Sequence, residues 1–192
     1  VVRREIGGDN LYKDLQIDYN SADLTLEDLK QILTSEPSEA YPVTLGSSEN
    51  DNILFFWSGH GTQQGWKWKE DELDPSFAKA MFSDMQFRKM FAIVETCYSG
   101  AVAQDCTGIP GLLLMTAANP YEPSKAAAFD DELQVYLSNT FTASILSQFA
   151  LNPRSSIYDL YLHAFDKTQG SHVMVYNAEH YGNLRWSEIS EF

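Results

Sequence analysis

Ile53-Leu54-Phe55-Phe56-Trp57 runs straight into Ser58-Gly59-His60-Gly61, and Phe91-Ala92-Ile93-Val94 into Glu95-Thr96-Cys97-Tyr98-Ser99-Gly100. Each apolar run is short and uninterrupted, the pattern of a strand buried on both faces of a parallel sheet. In open α/β sheets, reactive groups collect beyond the carboxyl ends of the strands. Two such strands side by side put a glycine-flanked imidazole and a glycine-followed thiol on one rim. A cysteine nucleophile with a histidine acid–base needs that placement. The pair points to acyl transfer by a cysteine peptidase or transamidase.

The pattern around these strands is that of an α/β domain. Thr25-Leu26-Glu27-Asp28 fits a capping box, and Leu26, Leu29, Ile32 and Leu33 follow at helical spacing. Residues 37–48, rich in Ser, Pro and Gly, read as a loop. Residues 66–75 read as an exposed acidic connection. A calcium loop there is disfavoured, because the alternating oxygen ligands and central Gly of an EF-hand are missing. Pro75 and Ser76 open a helix running to about Lys89, with Phe77, Ala80, Met81 and Met85 inward. Residues 91–95 and 111–116 are strands, 138–150 a long helix closed by Asn152-Pro153, and Ser156 caps a further helix through Phe165. His172 to Tyr176 is the last strand. This alternation predicts an α/β sandwich with a mostly parallel sheet. Residues 1–24 supply only a weak strand-like start, so the first strand and helix of such a domain are expected to be missing from this chain.

Bulk properties narrow the function. The 192 residues suffice for one ample core. A net charge of −14 argues against nucleic acid, whose phosphates require clustered Lys and Arg. No apolar run approaches the roughly 20 residues of a membrane span. The two cysteines, Cys97 and Cys106, make a poor disulfide framework, and no His/Cys spacing resembles a zinc site. Cys106, His163, His172 and His180 carry no pattern beyond that of structural residues. The chain opens Val1-Val2-Arg3-Arg4, without an initiator Met or a signal peptide, which marks either an expression boundary or a proteolytic event.

The two motifs resemble the His-Gly and Glu-Ala-Cys-x-Ser-Gly elements of the legumain family of caspase-like cysteine peptidases. Further segments resemble that family in the same order: Phe87-Arg88-Lys89-Met90, Thr116-Ala117-Ala118-Asn119-Pro120, Tyr136-Leu137-Ser138 and Ser171-His172-Val173-Met174. The likeness runs from about Gly8 to about Asn177. The transamidases that attach glycolipid anchors share the two elements less closely.

The resemblance implies a caspase-like three-layer sandwich and a Cys–His dyad with no cofactor and no obligatory metal. Cys97 is then the nucleophile, His60 the acid–base, and the amides of Gly61 and Cys97 the oxyanion hole. Glu95 matches a residue lining the S1 pocket, and Ser124 the segment that pairs with substrate backbone. Asn139 stands where the family has an S1 Asp, which leaves Asn, Asp or a small residue open at P1. The family's opening strand and helix have no counterpart here. The expectation is therefore a single peptidase domain over residues 1–192, the large C-terminal fragment of a self-processed zymogen, still associated with its cleaved N-terminal piece. Peptides or proteins are its substrates, and an exported location, whether secreted, periplasmic or lysosome-like, goes with the analogy. A transpeptidase using the same dyad and a non-catalytic peptide binder are the alternatives.

Overall fold

The computed structural model describes residues 15–192; the Val1–Arg4 opening and the start of the family likeness, residues 8–14, lie outside them. The elements run α1 (Leu26–Thr34), β1 (Asn52–Ser58), β2 (Trp66–Trp68), β3 (Asp71–Leu73), α2 (Pro75–Asp84), β4 (Lys89–Glu95), α3 (Gly100–Ala103), β5 (Leu112–Thr116), β6 (Ala126–Asp130), β7 (Val135–Asn139), α4 (Thr140–Leu151), α5 (Ile157–Lys167), β8 (Met174–Tyr176) and α6 (Ala178–Tyr181). The central sheet has the order β1-β4-β5-β8, with β8 antiparallel to its neighbour and the others parallel.

Pleating divides the core into two layers. On one face Met90, Ala92 and Val94 of β4 join Leu112 and Leu114 of β5, packed against Ala78, Met81 and Phe82 of α2 and Val102 of α3. On the other, Phe91, Ile93, Leu113 and Met115 meet Phe141 and Ile145 of α4 and Ile157, Leu160 and Ala164 of α5. Helices on both faces of a mostly parallel sheet give the mixed α/β, three-layer arrangement expected of a caspase-like fold. Local signals set the helix starts. Thr25 and Asp28 exchange both capping-box bonds, Asp74 caps α2 ahead of Pro75, and Ser156 caps α5.

Four expectations are corrected. Among the described residues β1 is an edge strand: Ile53 and Trp57 are buried, but Leu54 and Phe56 are 41% and 48% exposed, outside the core cluster formed with α4 and α5. Residues 66–75 are not a solvated connection. β2 and β3 form an antiparallel hairpin that drives Trp66 and Leu73 into the core, and burying a side chain such as Leu73 is worth about 1.5–3 kcal/mol. The acidic side chains point outward instead, where Glu72 pairs with Lys67 at 2.8 Å. Helix α2 ends at Asp84 rather than near Lys89, and it buries Ala78 and Phe82 while Ala80 faces solvent. Finally, Ser138 and Asn139 close strand β7, and the helix expected from residue 138 begins at Thr140. None of the described helices is long and apolar enough to cross a membrane.

Candidate active site

The parallel pairing of β1 with β4 fixes the geometry of the two motifs. Ser58 lies opposite Glu95, and Gly59 N–H donates to the Glu95 carbonyl at 3.1 Å. His60 is two residues beyond Ser58, and Cys97 two residues beyond Glu95. Equal offsets past paired residues on strands about 4.8 Å apart bring the imidazole-bearing and thiol-bearing turns to one rim. The contact is close. A Cβ added to Gly61 would lie 2.2 Å from the Cys97 carbonyl oxygen and 2.8 Å from Thr96 Oγ1. The short bridge between Gly61 and Trp66 is made by Thr62 N–H to Gly65 O and Lys67 N–H to His60 O, and it leaves the Gly61 N–H out. His60 is exposed and Cys97 half-buried.

The Cys97 turn is held from several sides. Tyr98 adopts the left-handed conformation, φ 54°, and its N–H donates to the Glu122 carbonyl at 2.8 Å. Ser99 Oγ donates to Ala118 O at 3.1 Å and accepts from Ala118 N at 3.0 Å. Trp66 Nε1, on the buried hairpin, donates to Ser99 O at 3.1 Å. Helix α3 begins three residues beyond Cys97 and makes a single turn. Gly100 has no room for a side chain, because a Cβ there would lie 2.3 Å from the Tyr176 hydroxyl.

Beside the thiol, a carboxylate and two strand ends converge. The Cys97 thiol faces the Ser124 carbonyl, Sγ to O 3.9 Å. Glu95 is buried, with Oε2 accepting from Thr142 N–H at 3.0 Å and Thr142 Oγ1 at 2.9 Å. It thus caps the first turn of α4, a role the Asn139 side chain at the N-cap position does not take. Its other oxygen, Oε1, has no hydrogen-bond partner among the described residues. Burial pushes the Glu95 carboxyl above its ordinary range, against the opposing pull of Thr142 and, more weakly, Ser124. Asn139 pairs with Ala126, two residues after Ser124. Cys106 is buried away from this rim, its thiol pushed up to about 12 by burial.

The Peptidase C13 family model matches residues 1–191 of the chain. The chain belongs to the peptidase C13 family. Curated relatives within it are distant. A putative GPI-anchor transamidase of Caenorhabditis elegans is 27% identical over 143 residues, which cover 70% of this chain and 44% of that protein. Legumain of Mus musculus is 24% identical over 186 residues, covering 92% and 43%. The human GPI-anchor transamidase is 26% identical over 156 residues, covering 76% and 39%. The chain thus spans less than half the length of these relatives. The crystal structure of protein GSU0716 from Geobacter sulfurreducens is similar in fold, with a TM-score of 0.53 at 10% identity, covering 76% of this chain and 73% of that one.

In this C13 chain, the residues singled out in sequence gather at one end of the sheet: His60 and Gly61 after β1, Glu95 at the end of β4 with Cys97 just beyond it, Ser124 before β6 and Asn139 at the end of β7. Sequence reasoning passed over Thr142, Trp66, Glu122 and His172, all of which hold this rim. Thr142 and Trp66 carry no local signature. His172 sits inside the family-like segment 171–174, and Glu122 lies two residues before Ser124, the one signal that set them apart from other polar residues.

Proposed function

We propose that this C13 protein is a cysteine endopeptidase that cuts peptide bonds through a thioester acyl-enzyme. The observation that carries the proposal is the equal placement of His60 and Cys97 beyond two paired strand residues, with Gly61 packed on the Cys97 carbonyl. Cys97 Sγ attacks the scissile carbonyl, and the imidazole of His60 takes up the thiol proton and delivers it to the leaving amine. Developing negative charge on the carbonyl oxygen is met by the N–H groups of Gly61 and Cys97. Water, activated by the same imidazole, then releases the acyl group and restores the thiol.

Specificity is assigned to the buried carboxylate. Glu95 Oε1 lacks a hydrogen-bond partner among the described residues, and the Asn139 side chain is free of capping duty. Lining S1 together, they offer an acceptor and an amide that both donates and accepts, which suits Asn, Asp or a small side chain at P1. Ser124, whose carbonyl lies against Cys97, belongs to the segment ahead of β6 that would pair with the peptide backbone. Replacing Cys97 by Ala should abolish hydrolysis of a peptide library with the fold intact, and persistent turnover refutes the assignment.

The relatives named transamidases favour a second reaction at the same residues, in which an amine replaces water. Peptide substrate mixed with excess amine separates the two by product mass. We further propose that β1, whose outer edge is unpaired among the described residues, receives a strand from a cleaved and retained N-terminal segment of a zymogen in an exported compartment. Intact mass under native and denaturing conditions tests this, since a lone 21.7 kDa species with full activity removes it.

A further inference from the structure

Glu122 stands at the centre of the loop between β5 and β6, with both carboxylate oxygens and its backbone carbonyl committed. Its carboxylate accepts from Asn119 N–H at 3.1 Å and His172 N–H at 2.7 Å through Oε1, and meets His172 Nδ1 at 2.8 Å through Oε2. Its backbone carbonyl accepts the N–H of Tyr98, the residue after the nucleophile. Two residues on, the Ser124 carbonyl lies against Cys97 Sγ. The loop therefore touches the Cys97 turn through its backbone and is gripped from behind, through one carboxylate, by the segment leading into β8.

Two features set this grip apart from ordinary packing. Tyr98 is a bulky residue held at positive φ, a conformation that persists where the surroundings enforce it, and Glu122 supplies the partner of its N–H. The His172 side chain is 70% exposed while that of Glu122 is 20% exposed, so the ring contributes little buried area. Burial raises the Glu122 carboxyl, yet the hydrogen bonds from His172 and Asn119 outweigh it and hold the group below its ordinary range. The charge of Glu122 in turn helps burial push the nearby Tyr176 hydroxyl up to about 12.

We propose that Glu122 and His172 form a positioning pair that sets the Ser124 edge for substrate backbone, with Cys97 itself left chemically unaltered. The proposal rests on the peptidase reading above. A peptide that pairs with the Ser124 segment needs that edge in place before it can lie across the thiol. A small alkylating reagent needs only the thiol. Loss of the clamp therefore affects peptides and spares small electrophiles.

The test compares wild type with His172→Ala, which removes the ring donor, and His172→Asn, whose side-chain N–H can stand near the position of Nδ1. KM and kcat are measured on one peptide substrate, together with the rate of Cys97 alkylation by iodoacetamide and the Tm. The expected result for His172→Ala is a KM raised about tenfold, the scale of one lost charge-assisted hydrogen bond, with kcat, alkylation rate and Tm close to wild type. His172→Asn should bring KM back toward the wild-type value. A KM unchanged in His172→Ala overturns the proposal, as does a joint fall in Tm and alkylation rate, which marks a merely structural contact. A wild-type protein that binds the peptide without cleaving it removes the underlying reading, and the clamp falls with it.

Discussion

Gly61 gives the sharpest perturbation of the site, because the structure supplies its own control two residues away. Alanine at position 61 places its Cβ 2.2 Å from the Cys97 carbonyl oxygen, 2.8 Å from Thr96 Oγ1 and 2.9 Å from Thr96 Cβ. Real Cβ contacts of this kind do not fall below 3.0 Å, so the two turns must part by about 0.8 Å. The nearest atom is backbone and cannot rotate away as a side-chain tip does. The shift therefore falls on the spacing between the His60–Gly61 turn and the Cys97 turn. A displacement of about 1 Å in a reacting geometry costs on the order of 10²-fold in rate. Alanine at position 59 meets nothing within 4 Å. Steady-state cleavage of a fluorogenic peptide, with Tm measured beside it, should show Gly61→Ala reduced about 100-fold in kcat/KM and Gly59→Ala near wild type. Equal activity of the two variants refutes the claim that these turns work as one unit.

Three further outcomes follow from named contacts. Glu95→Gln should gain stability relative to wild type as pH rises: burial raises the folded-state value of this acid above its reference of 4.5, so the native chain holds the proton more tightly than the unfolded one, and wild type loses stability as pH climbs through that window. Thermal melts from about pH 4 to pH 8 should show the gap opening upward, and a pH-independent gap contradicts it. Asn177→Ala removes bonds to Gly108 N, Ile109 O and Leu112 O and puts Ala at φ 67°, and should cost about 3–5 kcal/mol in chemical denaturation; a loss below about 1 kcal/mol argues against the assignment. Asn139→Asp adds a carboxylate at the N-cap of the helix whose first turn Glu95 caps and should shift the P1 profile of a peptide library, whereas an identical profile places residue 139 outside S1.

What the sequence made legible was local, and what it hid depended on neighbours. The Thr25–Asp28 box, Pro75 at a helix start and the apolar runs of β4 and β5 declare themselves within a few residues. The runs at 53–57 and 91–94 look alike, yet among the described residues β4 is central and β1 an edge. That difference is set by which strands lie beside them, and no feature of Leu54 or Phe56 carries it. The β2–β3 hairpin was masked by the acidic stretch from Glu70 to Asp74, and its turn uses Lys69 at φ 56°, a residue that is no turn signal. The β6–β7 hairpin was hidden by Ala126-Ala127-Ala128, poor strand formers drawn into pairing by Phe129 against Tyr136 at 4.9 Å. At the site, the flanking glycines single out His60 and Cys97 as the candidate pair. The Ser58–Glu95 register that aligns them, and Thr142 as the partner of Glu95, are products of tertiary structure.

The most direct measurement is the site and rate of covalent capture by a peptide carrying a thiol-reactive carbonyl electrophile, mapped by mass after digestion. One adduct per chain is expected on Cys97, formed about 10²–10⁴-fold more slowly when His60 is replaced by Ala, with buried Cys106 untouched. An adduct on Cys106, or capture at Cys97 that proceeds at the same rate without His60, contradicts the account.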